Sequence, residues 1–431
     1  MQSDSVSSFE LDIDLDISPE LLQKLQLLSD GSRQVFRMYG KDHENVFFLN
    51  DPLYIKHVLQ SNNRNYTKGI GIDQVKMLLG NGIMVSEGDF WLRQRRLIQP
   101  SFHKRNLEDF FQLMIAENES LIARWSELAE SDAAMEVTEE MSKITLEIVL
   151  RALFGEDLDF IKNQKDGNPF NLLTEEVNRD LRFAMKFRGF AKHIIKVIQK
   201  RDEEDRWPHD FLTMLIHSTD KKTGQHMNQK EIIDEVMTLI VAGHETTASA
   251  LSWAWYLLSE NPAIVDQVRA ESAQFFSANE LTMHTVGELS YTRMLVDEVL
   301  RLYPPGWLFS RRAIEDDEID GLPIPAGSDI LISPYLLHRN EKLWDTPEAF
   351  QPERFSADRQ STISKFGYLP FAIGPRQCIG DMFALHEMIV HLAMVVPKFQ
   401  FERIKPAVVE MEPEINLRPK EKIYFKIKKI S

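Results

Sequence analysis

The chain has a single cysteine among its 431 residues, Cys378, and it lies in the segment Phe371-Ala-Ile-Gly-Pro-Arg-Gln-Cys-Ile-Gly380. Glycines at 374 and 380 let the backbone turn tightly and let a flat group approach it closely. An apolar helical pattern starts at Met382, so helix N–H groups and the positive end of a helix dipole face back at the sulfur, which favours thiolate over thiol. A thiolate held this way serves as a metal ligand or a nucleophile. The plainer reading is a buried apolar cysteine. Being alone, Cys378 closes no intrachain disulfide and builds no multi-cysteine zinc or iron–sulfur site, and a reducing compartment is its natural setting.

The pattern Phe371-x-x-Gly374-x-Arg376-x-Cys378-x-Gly380 resembles the haem-binding signature of the cytochrome P-450 monooxygenases, and it does not stand alone. Glu298-x-x-Arg301 and Pro352-Glu-Arg354-Phe355 match the family's Glu-Arg-Arg constellation. Ala242-Gly-His-Glu-Thr-Thr247 matches its oxygen-activation motif, and Trp91-x-x-x-Arg95 its first propionate contact. All occur in the family's order, from roughly Val35 to Ile427. Soluble bacterial fatty-acid hydroxylase haem domains share strings such as Ala384-Leu-His-Glu387.

The resemblance implies a haem b group with Cys378 as its axial ligand, since a thiolate pushes electron density onto iron and favours O–O cleavage. Trp91, Arg95, Arg311 and Arg376 would meet the propionates, which need cations or donors at fixed positions. Arg312 competes with Arg311 for that role. Phe371, Gly374 and Gly380 would border the haem, and Ala242-Gly243 would keep the overlying helix thin. Glu245 and Thr246 would form an acid–alcohol pair that supplies protons to dioxygen. Their plainer reading is a Thr bonded to its own preceding turn and a Glu on a polar face. Glu298, Arg301 and Arg354 would be structural, fixing the cysteine loop. His338-Arg339 recurs in the family, but no chemistry is assigned to it or to the other histidines. By position, Leu239, Gly306, Trp307, Leu308 and Ile415, with the Ile72–Val85 region, would wall an apolar substrate pocket.

These residues need a helical frame. Helical patterns cover Leu107–Leu128, Met141–Leu153, Asn171–Arg201, Gln229–Glu260 and Phe383–Val396, with β-like patches at Val46–Leu49, Ile319–Ile332 and Ile423–Ile427. The segment Gln229–Glu260 opens with Asn228…Glu231, a capping pair, and stops at Asn261-Pro262. At about 1.5 Å per residue it spans roughly 50 Å, the width of the molecule. The fold class is therefore mostly α with small β-sheets, and the resemblance implies a cytochrome P-450 fold with a long central helix over the haem. Residues 1–34 read as an N-terminal extension and 35–431 as one domain.

A formal net charge of −16 argues against nucleic acid as partner. The acidic, interrupted start of the chain lacks the basic and apolar regions of a signal peptide. Val236–Ser259 is long enough to span a bilayer, but His244 and Glu245 at its middle would be costly in lipid. The expectation is a cytoplasmic protein without membrane anchor. It would take electrons from a separate ferredoxin or flavodoxin and its reductase, because no G-x-G-x-x-G unit is present. Arg93, Arg95, Arg96, Lys104 and Arg105 would steer that acidic partner to the cysteine side. A peroxide-driven peroxygenase and a haem-thiolate sensor are the nearer alternatives. A cysteine-nucleophile hydrolase is the remote one, as it leaves the 242–247, Glu298 and Trp91 motifs without a role. The substrate would be an apolar small molecule: terpenoid, steroid-like or polyketide-like, with a fatty acid as the lesser alternative. The carboxylate tether of the fatty-acid hydroxylases has no clear match around Lys41–Phe48.

Overall fold

In a computed structural model, the described residues are 7–10, 15, 18–29, 34–40, 43–131, 133–163, 167–175 and 181–430. The central helix runs Gln229–Glu260 and opens on a full capping box, in which the Asn228 side chain accepts from Glu231 N–H and the Glu231 carboxylate from Asn228 N–H. Asn261 and Pro262 stop it and start the next helix, Pro262–Ala278. Around it pack the helices Gly88–Ile98, Lys104–Glu130, Val137–Phe154, Ser290–Leu302 and Asp381–Val395.

One helical expectation fails. Asn171–Arg201 is not continuous: Asn171–Glu175, Leu181–Arg188 and Ala191–Glu204 are separate helices. Gly189 and Phe190 make the second break, where glycine disfavours a helix interior. Residues 176–180, at the first, lie outside the described set.

Among the described residues, strands fall at Ser8–Glu10 (β1), Val35–Gly40 (β2), His43–Leu49 (β3), Tyr66–Lys68 (β4), Met135–Glu136 (β5), Phe309–Ala313 (β6), Asp317–Ile319 (β7), Leu322–Ile324 (β8), Asp329–Ile332 (β9), Phe399–Lys405 (β10), Met411–Pro413 (β11), Leu417–Pro419 (β12) and Tyr424–Lys429 (β13). Six of them form one sheet in the order β1-β2-β3-β9-β6-β4. β10, β13 and β5 form a second, and β11–β12 and β7–β8 are hairpins.

The segment 1–34, set apart from the sequence as an extension, is woven into this frame over its described residues. β1 pairs in parallel with β2, and the helix Pro19–Ser29 buries Leu21, Leu22 and Leu25 against Phe36, Phe48 and Trp307. Lys41, at the start of the stretch where no carboxylate tether was found, lies outside the described residues. None of the described helices is long and apolar enough to cross a membrane.

Candidate active site

Between Asp234 and Trp255 the central helix is buried except at Leu239, Ala242, Gly243, Glu245 and Thr246. Positions 239, 242, 243 and 246 share one face at helical spacing, so the helix stays partly accessible along that face. Thr246 Oγ1 donates to the Ala242 carbonyl at 2.7 Å, the plainer arrangement, which leaves its oxygen as an acceptor. Glu245 Oε2 accepts from Asn416 Nδ2 at 3.2 Å. Gly243 also meets a neighbouring helix. A Cβ there would lie 2.9 Å from Val149 Cγ2, so its small size serves the approach of the helix Val137–Phe154.

The cysteine loop is set by a left-handed residue. Gly374 has φ +82°, and a Cβ on it would stand 2.0 Å from the Leu59 carbonyl oxygen, so side chains are excluded there by backbone, whatever else the loop meets. Cys378 N–H closes the loop onto Phe371 O at 2.9 Å, and the helix Asp381–Val395 follows, with Gly380 as its N-cap. Cys378 is exposed yet ringed by protein atoms, as a side chain on a cavity wall is. The enclosure governs its titration: burial and the Asp381 carboxylate push the thiol up to about 11, against the opposing pull of the Gly380 N–H and Arg95. The thiolate expected from the helix dipole is therefore not the resting state of the bare protein, and a bound cation is what would draw the proton off. A cavity of about 280 Å³ between Arg95, Phe102, Gln377, Cys378 and Asp381 adjoins the loop. A larger hollow beside Trp125 and Lys143 shares no residue with it.

The arginines converge beside this loop. Arg95 Nη1 donates to Gln377 O at 2.8 Å, and the Arg376 guanidinium lies 4.0 Å from the Trp91 ring centroid. Trp91 is thus a platform for Arg376. Arg376 Nη1 also donates to Ser86 O at 2.7 Å, and the guanidinium pairs with Glu87. On β6, Arg312 turns outward to Asp329, with both bonds within 2.9 Å. Residues adjacent in a strand point to opposite faces.

Directly opposite Arg311 in the β4–β6 register stands Lys68, which the sequence reading passed over. Like charges facing across a ladder repel. Lys68, Arg311 and Arg376 are half-buried by surface area but enclosed by protein, and this enclosure dominates their titration. Burial, then the neighbouring arginines, lower Lys68 to about 7; burial, then Arg376, lower Arg311 to about 10. Among the described residues, Glu87 is the one carboxylate that offsets them. Three cations against one carboxylate is a surplus that a ligand with two carboxylates would balance.

Behind the loop, Glu298, Arg301 and Arg354 meet. Arg301 is 0% exposed and makes five hydrogen bonds, two to the Glu298 carboxylate at 2.7 and 2.9 Å and three to the carbonyls of His338, Pro347 and Ala349. Arg354 Nε donates to Glu298 Oε1 at 3.3 Å, which also accepts from Gln351 N–H at 2.8 Å. His338, left without a role from the sequence, links this cluster to the cysteine loop. Its Nδ1 meets Arg301 O at 3.1 Å and its Nε2 accepts from Leu369 N–H at 2.8 Å. Burial and Arg301 lower its pKa to about 3, so it stays neutral and Nε2 stays an acceptor.

A family model for cytochrome P450 matches residues 14–170 and 167–427. Cyclooctatin synthase of Streptomyces melanosporofaciens is 33% identical over 391 residues, covering 86% of this chain and 84% of that protein. The chain belongs to the cytochrome P450 family. Cyclooctat-9-en-7-ol 5-monooxygenase of the same organism is 29% identical over 371 residues (82% of this chain, 79% of that one). The chloroplastic carotene epsilon-monooxygenase of Arabidopsis thaliana is 28% identical over 418 residues (89% and 77%). The protein is thus a P450 monooxygenase, and the family's cofactor is haem. The residues present fit that group: its two propionates match the charge surplus at Lys68, Arg311 and Arg376, and Cys378 lies two residues beyond Arg376.

Two expectations about this P450 need correction. Trp307 does not wall the pocket. It is 1% exposed, packs with Leu21, Phe36 and Leu417, and donates from Nε1 to Glu414 O at 2.7 Å, because the chain turns its ring into the N-terminal core. Gly306 and Leu308 on either side remain accessible, a Cβ on Gly306 would meet nothing within 4 Å, and Ile415 is 40% exposed. Of the basic cluster after Trp91, Arg93 is held by Glu231 and Arg96 by Asp220, leaving Lys104 and Arg105 exposed.

Proposed function

We propose that this P450 inserts one oxygen atom from O2 into an apolar, ring-bearing small molecule of terpenoid type, with haem b held by Cys378, Arg95, Arg311, Arg376 and Lys68. The observation that carries the reading is the open face of the central helix, Leu239, Ala242 and Thr246, the accessible stripe in an otherwise buried stretch. When bound, haem supplies the activation of O2 and the transfer of one of its oxygen atoms. The chain's own residues do the rest. Leu239, Gly306, Leu308 and Ile415 take apolar substrate out of water, at about 25 cal/mol per Å² buried. Half-buried Glu245 collects protons from solvent and hands them to the neighbouring Thr246 hydroxyl, which carries them to the open face. The charge of the Glu298–Arg301–Arg354 network holds the cysteine loop in register. The names of two relatives, which act on cyclooctat-9-en-7-ol and carotene, favour a cyclic hydrocarbon with few oxygens over a fatty acid. Electrons come from a separate acidic ferredoxin or flavodoxin with its reductase, docking over Lys104 and Arg105, inside the cell where a lone thiol stays reduced.

The test is spectroscopic. Reduced protein under carbon monoxide should show the red-shifted Soret band of thiolate ligation, and Cys378→Ala should lose it; a variant that keeps the band refutes the ligand. Thr246→Ala should bind haem and substrate normally while diverting electrons to peroxide. A panel of cyclic terpenes and fatty acids, read by the substrate-induced shift of the haem band, ranks the substrate classes.

A further inference from the structure

Glu245, Ser249 and Trp253 follow one another at intervals of four along the central helix, so they form a single stripe. All three reach one short element, the β11–β12 hairpin. Ser249 Oγ and Trp253 Nε1 both donate to the Leu417 carbonyl, at 2.6 and 3.0 Å. Leu417 N–H donates to Pro305 O at 3.0 Å, and Trp307 Nε1 binds Glu414 O at 2.7 Å. The hairpin turn is therefore pinned on both sides of residue 416. From that fixed backbone Asn416 Nδ2 donates to Glu245 Oε2 at 3.2 Å.

We propose that Asn416 is a positioning residue for Glu245: the pinned hairpin, through the Asn416 amide, sets the orientation of the carboxylate that feeds protons to Thr246. The inference rests on the proton-delivery reading of Glu245 given above. A donor bound to Oε2 restrains the rotation of the carboxylate, so the direction of Oε1 depends on the seat of the hairpin. An amide suits this task chemically. It carries no charge, so it does not lock the acid into a permanent ion pair, and it has no proton to lose in the relevant range, so it does not compete in the transfer. Ile415, next in the chain and partly exposed, places a candidate substrate contact on the same turn. Substrate seated against the hairpin and the acid behind Thr246 thereby share one rigid support.

The experiment compares Asn416→Asp, Asn416→Ala and Glu245→Gln with the double variant Asn416→Asp/Glu245→Gln, in the haem-loaded protein. Product per pair of electrons should fall about threefold to tenfold in either Asn416 variant, part of the 10²–10⁴ that a positioned proton donor contributes. The solvent deuterium isotope effect should rise. The double variant should be no worse than Glu245→Gln alone, since a residue acting through another is not additive with it. The substrate-induced spectral dissociation constant and the thermal midpoint should stay at wild-type values, which separates positioning from loss of structure. Wild-type coupling in both Asn416 variants, with Glu245→Gln uncoupled, overturns this inference and leaves the role of Glu245 standing. Wild-type coupling in Glu245→Gln overturns that role and the inference with it. Additive losses in the double variant, or weakened substrate binding and melting in parallel with coupling, also overturn it.

Discussion

Around Glu298 the Arg301 guanidinium spends five hydrogen bonds on a carboxylate and three carbonyls, whereas around Arg311 three cations share Glu87. Both clusters are enclosed by protein, and both would be expensive if left unpaired. The first is complete within the chain. Arg311 itself makes a single hydrogen bond among the described residues, to Ser310 O at 2.8 Å, and its register partner is Lys68. The difference teaches how to tell a buried charge that holds a fold from one that receives a ligand. A structural cluster closes its own hydrogen-bond inventory, while a binding cluster is left with unmatched charge of one sign.

The largest effect should come from breaking the closed cluster. Glu298→Gln removes the charge that Arg301 and Arg354 share, and loss of one partner in a buried pair costs about 3–5 kcal/mol. Urea unfolding of the haem-free protein measures it, and a loss below about 1 kcal/mol would mean the network is not what holds this region. Breaking the open cluster should do the reverse. Arg311→Met should leave the haem-free protein at least as stable, because it relieves repulsion with Lys68, yet weaken haem retention about tenfold, or about 1.4 kcal/mol. Haem transfer to an apo-globin acceptor reads that loss. If the two variants behave alike, the contrast between the clusters collapses.

The smallest effect sharpens the contrast through pH. Lys68 titrates at 10.5 when unfolded and at about 7 in the fold. Between those values the unfolded chain binds more protons, so stability rises with pH across that window, the penalty being fully present below about pH 7. The haem-free protein should thus gain stability from pH 7 to 9.5 relative to Lys68→Met in matched urea melts. With propionates in place Lys68 keeps its proton and the gain should shrink. An identical pH slope in wild type and variant would remove Lys68 from the surplus.

The helical frame was legible wherever the pattern was long. Gln229–Glu260 could be read from its capping pair, its apolar run and its terminal Asn-Pro. The break near Gly189 was not, because the apolar spacing continues across it and a single glycine is a weak signal beside the pattern. At the site, residues within a motif were legible as neighbours: Cys378, Arg376 and Arg95 do lie together. Lys68, His338 and Asn416 were not. Each owes its place to long-range pairing, across the β4–β6 ladder, from helix to loop, and from hairpin to central helix. Trp307 misled for the same reason, since its position along the chain borders the pocket while its ring follows the N-terminal core. The packing of Gly243 against Val149 was equally hidden, since Val149 lies about a hundred residues away in sequence, where no local pattern could point to it.

The first strand of the sheet has a consequence for anyone who handles this protein. β1 covers the outer edge of β2 through the pairs Ser8↔Arg37, Phe9↔Met38 and Glu10↔Tyr39. Shortening the gene to start at residue 35 would leave every motif in place and yet uncover a row of backbone donors and acceptors on β2, the template on which sheets join edge to edge. The damage would surface as self-association in the tube.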